Sequence, residues 1–227
     1  MKSLGRGVVR DVLFLSLAAG TADAAGYMGL GRVFTSNMTG NVVLLGIDLG
    51  QGDFASAVHV FYVLVVFLLG VALGAQLGKG IAEKDWPNLA SRLVRLEKFA
   101  LVLFALGWLA RSDSADSPLS YALVAVLAMA MGLQSAAMNR LSAPGVATTA
   151  ITGTLTALVT GLVTVAVGGG TVEEENSWSR IKFQSGVVGL YCCGAAVCGL
   201  MIVHLPRLAG CLPALAVLFV SPGRRGR

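Results

Sequence analysis

Charge is what this sequence lacks. Only 13% of its 227 residues are charged, against about 25% in a soluble domain, and the mean hydropathy is +0.77. That is too little charge to clothe a globule in water. Metal-type spacing is absent too. The four cysteines, Cys192, Cys193, Cys198 and Cys211, lie in late apolar runs with no histidine pattern around them. They read as small packing residues, and neither metal nor cofactor is implied. His59 and His204 stand far apart, and the sequence holds no Gly-x-Ser-x-Gly elbow, no His-Glu-x-x-His pair and no phosphate-binding glycine loop. With no nucleophile–base arrangement to build, the chain is not expected to be an enzyme. The net charge of +5 comes without a basic stripe interleaved with aromatics, which excludes nucleic acid as a partner. The basic residues sit between apolar runs and at the chain ends, as in loops that orient a protein in a bilayer and touch anionic headgroups.

What is abundant is apolar sequence, 56% of the chain, with 29 glycines that let membrane helices approach closely. The runs Val60–Gly78, Leu119–Met138, Val146–Val172 and Phe183–Val203 are each long enough to cross the hydrocarbon core. Val12–Gly31 is long enough but interrupted by Asp23. Val33–Ile47 is short and carries the polar string Thr35-Ser36-Asn37-Met38-Thr39-Gly40-Asn41, while Phe99–Ala110 and Leu208–Val220 are marginal. The expected fold is all-α, a polytopic transmembrane bundle of six to eight helices with the lipid bilayer as its first partner. Lys2, Arg6 and Arg10 before a short apolar core, with small residues at Thr21-Ala22-Asp23-Ala24, outline a signal peptide. The core Val12–Ala19 is short and the apolar run resumes after Ala24, which favours a retained helix.

The chain also repeats itself. Ala19-Gly20 through Ala24-Ala25, followed by Thr35 to Asn41, returns about 112 positions later as Met131-Gly132-Leu133-Gln134-Ser135-Ala136-Ala137, followed by Thr148-Thr149-Ala150-Ile151-Thr152-Gly153-Thr154. Gly70 and Gly74 in one half answer Gly194 and Gly199 in the other. Two homologous halves, about 11–111 and 119–221 of a single membrane domain, are the economical explanation. If Phe99–Ala110 spans, the halves have four helices each and point the same way; if it does not, they have three each and are inverted. Both arrangements occur in transporters. Charge leaves the choice open. The basic connector Lys79–Lys98 reads as cytoplasmic, yet three spans before it place the basic N-terminus outside, unless Val33–Ile47 does not cross. Three crossings after the connector put Glu173-Glu174-Glu175 outside.

Asp23 is the first functional candidate, because an aspartate inside a membrane helix costs about 2.5–3.5 kcal/mol on insertion scales and usually faces a bundle interior or water cavity. The competing reading is a protonated carboxyl that only ties helices together. Thr35, Asn37, Thr39, Gly40 and Asn41, with Thr149, Thr152 and Gly153 in the second copy, form polar, glycine-containing breaks at corresponding places, a pointer to a transporter site. Plain helix starts, with Gly40 and Gly153 as close-packing positions, explain the same residues without a ligand. Gln134 and Ser135 stand where Asp23 stands in the first half, and line a cavity or glue helices together. Gly70-Gly74-Gly78 permits a homo-oligomer and equally serves packing within one chain.

The strings Ala18-Ala19-Gly20-Thr21-Ala22-Asp23-Ala24, Val33-Phe34-Thr35-Ser36-Asn37-Met38-Thr39-Gly40-Asn41, Met131 to Ala136 and Thr148 to Thr154 resemble the YoaK-like membrane proteins, a bacterial family classed as a domain of unknown function. The likeness covers roughly Asp11 to Val220. It implies a multi-pass protein of the bacterial inner membrane and supplies no substrate. The leading expectation is a transporter or channel for a small solute or ion, with a midplane site between Asp23, Thr39 and Asn41 on one side and Gln134, Ser135 and Thr152 on the other. If movement is proton-coupled, Asp23 is the natural carrier. The rival from another class is a membrane scaffold or accessory subunit that transports nothing. An intramembrane enzyme acting on lipid through Asp23, Asp48 or His59 is the third reading.

Overall fold

The computed structural model describes residues 6–81, 85–111, 117–141, 151–167 and 172–220. Among these there is no strand. The helices are α1 (Arg6–Gly29), α2 (Met38–Gln51), α3 (Phe54–Leu77), α4 (Trp86–Ala110), α5 (Pro118–Leu141), α6 (Ile151–Val167) and α7 (Val172–His204), then the short α8 (Pro206–Ala209) and α9 (Leu212–Leu218). Phe54–Leu77, Pro118–Asn139 and Ser177–His204 are long and apolar enough to cross a membrane. On α3, Phe54, Val58, Phe61, Leu68 and Leu69 are exposed while Val60, Val63 and Phe67 are buried. So large an apolar exterior calls for hydrocarbon around it, and the fold is a helical transmembrane bundle.

Helix boundaries depart from the hydropathy map for local reasons. The marginal run Phe99–Ala110 belongs to a 25-residue helix that begins at Trp86. Arg92 and Arg95 point outward while Ala90, Leu93, Val94, Leu101 and Phe104 are buried, so the charges lower the average without breaking the inner face. Val33–Ile47 yields a helix only from Met38, because the Asn37 side chain accepts the Gly40 N–H at 3.2 Å and caps it there. Leu208–Val220 is split into α8 and α9, each with a proline in its first turn. Within Val146–Val172 the described helix covers Ile151–Val167, and α7 extends Phe183–Val203 back to Val172.

Contacts at one end of the bundle fix helix direction. The Arg111 guanidinium donates to the Gly29 carbonyl at 2.9 Å and Trp108 Nε1–H donates to the Pro206 carbonyl at 2.9 Å. His59 Nε2 lies 3.0 Å from the Leu30 carbonyl, and its ring meets Tyr121 edge-on at 4.9 Å. The C-terminal ends of α1, α4 and α7 therefore gather where α3 and α5 begin. At the other end, Phe14 stacks on Phe219 at 5.4 Å, so α8 and α9 run back against α1. Helix α2 ends two residues before α3 starts, at the His59 end, and it starts beside Asp23, about 9 Å down α1 from Gly29 at 1.5 Å per residue. It dips into the bundle and returns without crossing. Helix α7 ends where α3 and α5 begin, so Glu173-Glu174-Glu175 opens α7 at the connector's end rather than opposite it.

Two glycine crossings lock the long helices in pairs. A Cβ on Gly20 of α1 would fall 2.1 Å from the Tyr191 carbonyl oxygen of α7, and one on Gly194 would fall 2.5 Å from that of Leu17. On the α3–α5 pair, a Cβ on Gly132 would sit 2.4 Å from the Phe67 carbonyl oxygen, and one on Gly70 2.6 Å from that of Met129. Only glycine permits backbones this close. Gly70, and Gly74 against the Ala136 methyl, are thus used within the chain.

Asp53 opens α3 from the loop outside the membrane-spanning segments. Its carboxyl accepts the Ser56 N–H at 3.1 Å and the Ser56 hydroxyl at 2.7 Å, and these bonds hold it below the usual carboxylate range. Stability from a depressed carboxyl is complete above the unfolded group's pKa and is lost as pH falls through the folded value. Acid is therefore expected to loosen the start of α3. Asp53→Asn, a comparable cap that does not titrate, should flatten that part of the response in unfolding curves taken above and below the carboxylate range.

Candidate functional site

The site is built around the turn that starts α2. Asp23, 3% exposed on α1, turns its carboxylate onto that turn. Oδ1 accepts the Thr35 N–H at 2.7 Å and the Ser36 N–H at 2.6 Å, with longer approaches from the Asn37 N–H at 3.4 Å and the Thr35 hydroxyl at 3.5 Å. Oδ2 accepts the Ser36 hydroxyl at 2.7 Å and the Tyr191 hydroxyl of α7. The backbone N–H groups donate to this carboxyl at the start of a helix, and the hydroxyls can donate to it or accept from it. The buried Asn41 side chain binds the backbone on both sides of Phe34, accepting its N–H at 2.9 Å and donating to its carbonyl at 2.6 Å. Phe34 in turn stacks on Tyr27 at 5.0 Å. Gly40 lies under the Phe34 ring, where a Cβ would meet it at 2.9 Å. The Thr-Ser-Asn-Met-Thr-Gly-Asn string is thus a local fold in which Asp23, Asn37 and Asn41 each satisfy backbone groups that would otherwise be unpaired inside the membrane.

Beside this turn lies a cavity of about 470 Å³, lined by Ser36, Asn37, Met38, Thr39, Phe67, Ser135, Ile151, Thr152 and Tyr191. None of these described lining residues carries a formal charge. Helix α2 starts here and runs to the His59 end. Helix α6 also starts here, at Ile151, and runs the other way, since Gly161 packs on Ile181 of α7, ten positions before Tyr191. Two helices of 14 and 17 residues therefore begin at one cavity and leave in opposite directions.

The sequence candidates divide three ways. Asn37, Thr39, Ser135 and Thr152 meet at the cavity wall. Asp23, Thr35, Gly40 and Asn41 stand behind it and hold the turn. Gln134 is buried elsewhere, its Nε2–H donating to the Leu15 carbonyl at 3.1 Å and tying α5 to α1. Gly153 has nothing described within 4 Å of a would-be Cβ, whereas Gly40 is closely packed. Thr149 lies outside the described residues. Tyr191 and Phe67 were not singled out from sequence. Tyr191 is the one phenol in the apolar run Phe183–Val203, and asking which donor could answer Asp23 would have found it.

Fold and site together define a helical transmembrane protein with a polar cavity inside its bundle. The chain belongs to the family described as Protein of unknown function (DUF1275), which matches residues 12–221. It is 38% identical over 142 residues to the UPF0700 transmembrane protein YoaK of Bacillus subtilis (strain 168), a match covering 62% of this chain and 61% of that relative's length. No solved structure matches.

Proposed function

We propose that this is a multi-pass protein of the bacterial inner membrane that binds and moves a small, uncharged, polar solute through the cavity between α2 and α6. The observation that carries this reading is the cavity wall: hydroxyls and amides from Ser36, Asn37, Thr39, Ser135 and Thr152, apolar surface from Met38, Phe67, Ile151 and Tyr191, and no formal charge among these described residues. An ion would need charge or a ring of oxygens at the wall. A molecule with hydroxyl or amide groups and an apolar face finds both here. In this reading Asp23 positions Ser36 and Tyr191 and does not touch the solute.

An inverted internal repeat supports a transport role. Gly20 and Gly132 are 112 positions apart, as are Leu17 and Met129; Phe67 and Tyr191 are 124 apart, as are Gly70 and Gly194. The crossings Gly20–Tyr191 and Gly194–Leu17 thus correspond, residue for residue, to Gly132–Phe67 and Gly70–Met129. Because α1 and α5 run oppositely, the halves 11–111 and 119–221 are read as inverted, with α2 and α6 as their half-length helices. Arg10, Lys79, Arg92, Arg95, Arg180 and Lys182 lie toward the end where α1 and α7 start, against Arg32, Arg111 and Arg207 at the other. By the charge bias of membrane loops, the first end is cytoplasmic.

Thermal unfolding of the detergent-purified protein against polyols, sugars, nucleosides, organic acids and inorganic ions tests the reading. A ligand at 100 times its Kd adds about 2.7 kcal/mol of stability. An uncharged member of the panel is expected to raise the melting temperature of the wild type and not of Ser135→Leu, whose side chain fills the cavity. A shift from ions alone would replace the solute reading with an ion pathway. No shift from any compound, with both proteins folded, would favour an accessory subunit.

A further inference from the structure

A second polar group is buried in the bundle and has no part in the cavity. Glu97 lies on the inner face of α4 with Leu93, Val94 and Leu101; it is wholly inaccessible, and neither carboxyl oxygen has a hydrogen-bond partner among the described residues. The Lys98 charge acts on it through space, but no hydrogen bond joins the two. The Lys98 ammonium donates to the carbonyls of Val220 at 2.5 Å and Leu218 at 3.4 Å, at the end of α9.

Helices α4 and α5 are antiparallel, with Gly107 against Leu123, and with Leu93 and Ala136 both beside Gly74. One turn on from Leu93, Glu97 stands level with the α5 turn around Leu133, just before the Ser135 that lines the cavity. Helices α8 and α9 pack on α4 as well, and α3 and α1 reach it at the Gly74–Leu93 and Gly29–Trp108 contacts, with His59 and Tyr62 in the first half of α3 and Asp23 of α1 held by the α2 turn. No described side chain on these elements donates a hydrogen bond to Glu97. Helix α9 has no titratable residue, Cys211 sits in the turn before it, and Arg207 of α8 lies at the Trp108 end. Tyr121 and Arg140 stand near the two ends of α5, and Arg92 and Arg95 of α4 itself are exposed.

A bare carboxylate here is shut off from the solvent and has no described donor to balance its charge. A single carboxyl does not make a metal site either, since a hard cation needs several oxygen ligands and no group of three metal-binding side chains occurs among the described residues. The ligand that fits is a proton. We propose that Glu97 is a proton-binding site, neutral while the seam between α4, α5 and α9 is closed and releasing its proton when water enters that seam. The site stands independently of what the cavity carries.

Infrared spectroscopy of the full chain in detergent at neutral pH is expected to show a protonated-carboxyl C=O band that Glu97→Gln loses and Asp23→Asn retains. Dicyclohexylcarbodiimide reads the same site in the wild type. The acid adds across one N=C bond, its proton passing to nitrogen and its oxygen to carbon; the acyl group then shifts to nitrogen with nothing leaving. The modified peptide is heavier by one reagent, and mass spectrometry is expected to place that adduct on Glu97. The band decides if Glu97→Gln folds, and the adduct decides if it does not. A folded wild type with no such band, a band that Glu97→Gln leaves intact, or, where that variant does not fold, the absence of an adduct at Glu97 overturns the proposal.

Discussion

Asp23→Ala is expected to be the most damaging single substitution at the site, lowering stability by about 2–6 kcal/mol, the cost of two buried backbone donors left without an acceptor. The reason lies in which donors can move. The hydroxyls of Ser36 and Tyr191 rotate to find other acceptors, but the N–H groups of Thr35 and Ser36 are fixed by the turn. Each is left unpaired in a low-dielectric interior at about 1–3 kcal/mol. Asp23→Asn keeps one oxygen for those two N–H groups and turns an amide toward two hydroxyls that can reorient to accept from it, so its loss should be nearer 1–3 kcal/mol. Denaturant unfolding of the three proteins in one detergent checks the order. An alanine variant as stable as wild type would mean that the turn holds itself.

Gly20→Ala is expected to cost about 1–3 kcal/mol or more by overpacking, and Gly20→Leu to prevent α1 from seating on α7 at all. The added Cβ meets the Tyr191 carbonyl oxygen at 2.1 Å and its carbon at 2.9 Å. These are backbone atoms, so relief requires the helices to part. Gly132→Ala should behave alike, since its Cβ meets the Phe67 carbonyl oxygen at 2.4 Å. Gly46, in the middle of α2 with nothing described within 4 Å, is the control. Alanine there should be neutral or gain up to about 1 kcal/mol from helix propensity. If melting curves place Gly20→Ala beside Gly46→Ala, the close crossing is not what holds the pair together.

The membrane class and most helices were legible in the sequence, because a span is written as length and hydropathy, and α3, α5 and α7 have both. What hydropathy averages away was not. Helix α4 hid behind Arg92, Arg95, Glu97 and Lys98, whose charges count alike in an average though two of them point outward and Glu97 points in. The direction of α2 was hidden too. A 14-residue helix is too short to declare whether it crosses; the Asp23 bonds fix its start, and the short turn into α3 places its end. The polar string was visible as unusual, but its internal division was not: Asn37 and Thr39 reach the cavity wall while Asn41, four residues after Asn37 on a buried face, serves the backbone. That division depends on the helix starting at Met38, and hence on the cap. Tyr191 was missed because a lone phenol in an apolar run looks like a lipid-facing ring until its partner is known.

Tyr191 meets α1 twice, through its carbonyl oxygen at Gly20 and through its hydroxyl at Asp23, less than a turn further on. Two such points prevent α1 and α7 from sliding or rotating against each other. The interlocked glycines do the same for α3 and α5, while α1 and α5 touch far less. Two closely crossed helix pairs thus flank the cavity, with Tyr191 and the Ser36–Thr39 turn beside one and Phe67 and Ser135 on the other. For the transport role proposed above, rocking of one pair against the other would open the space between them, and the Gln134–Leu15 bond, which joins α5 to α1, is placed to act as the pivot.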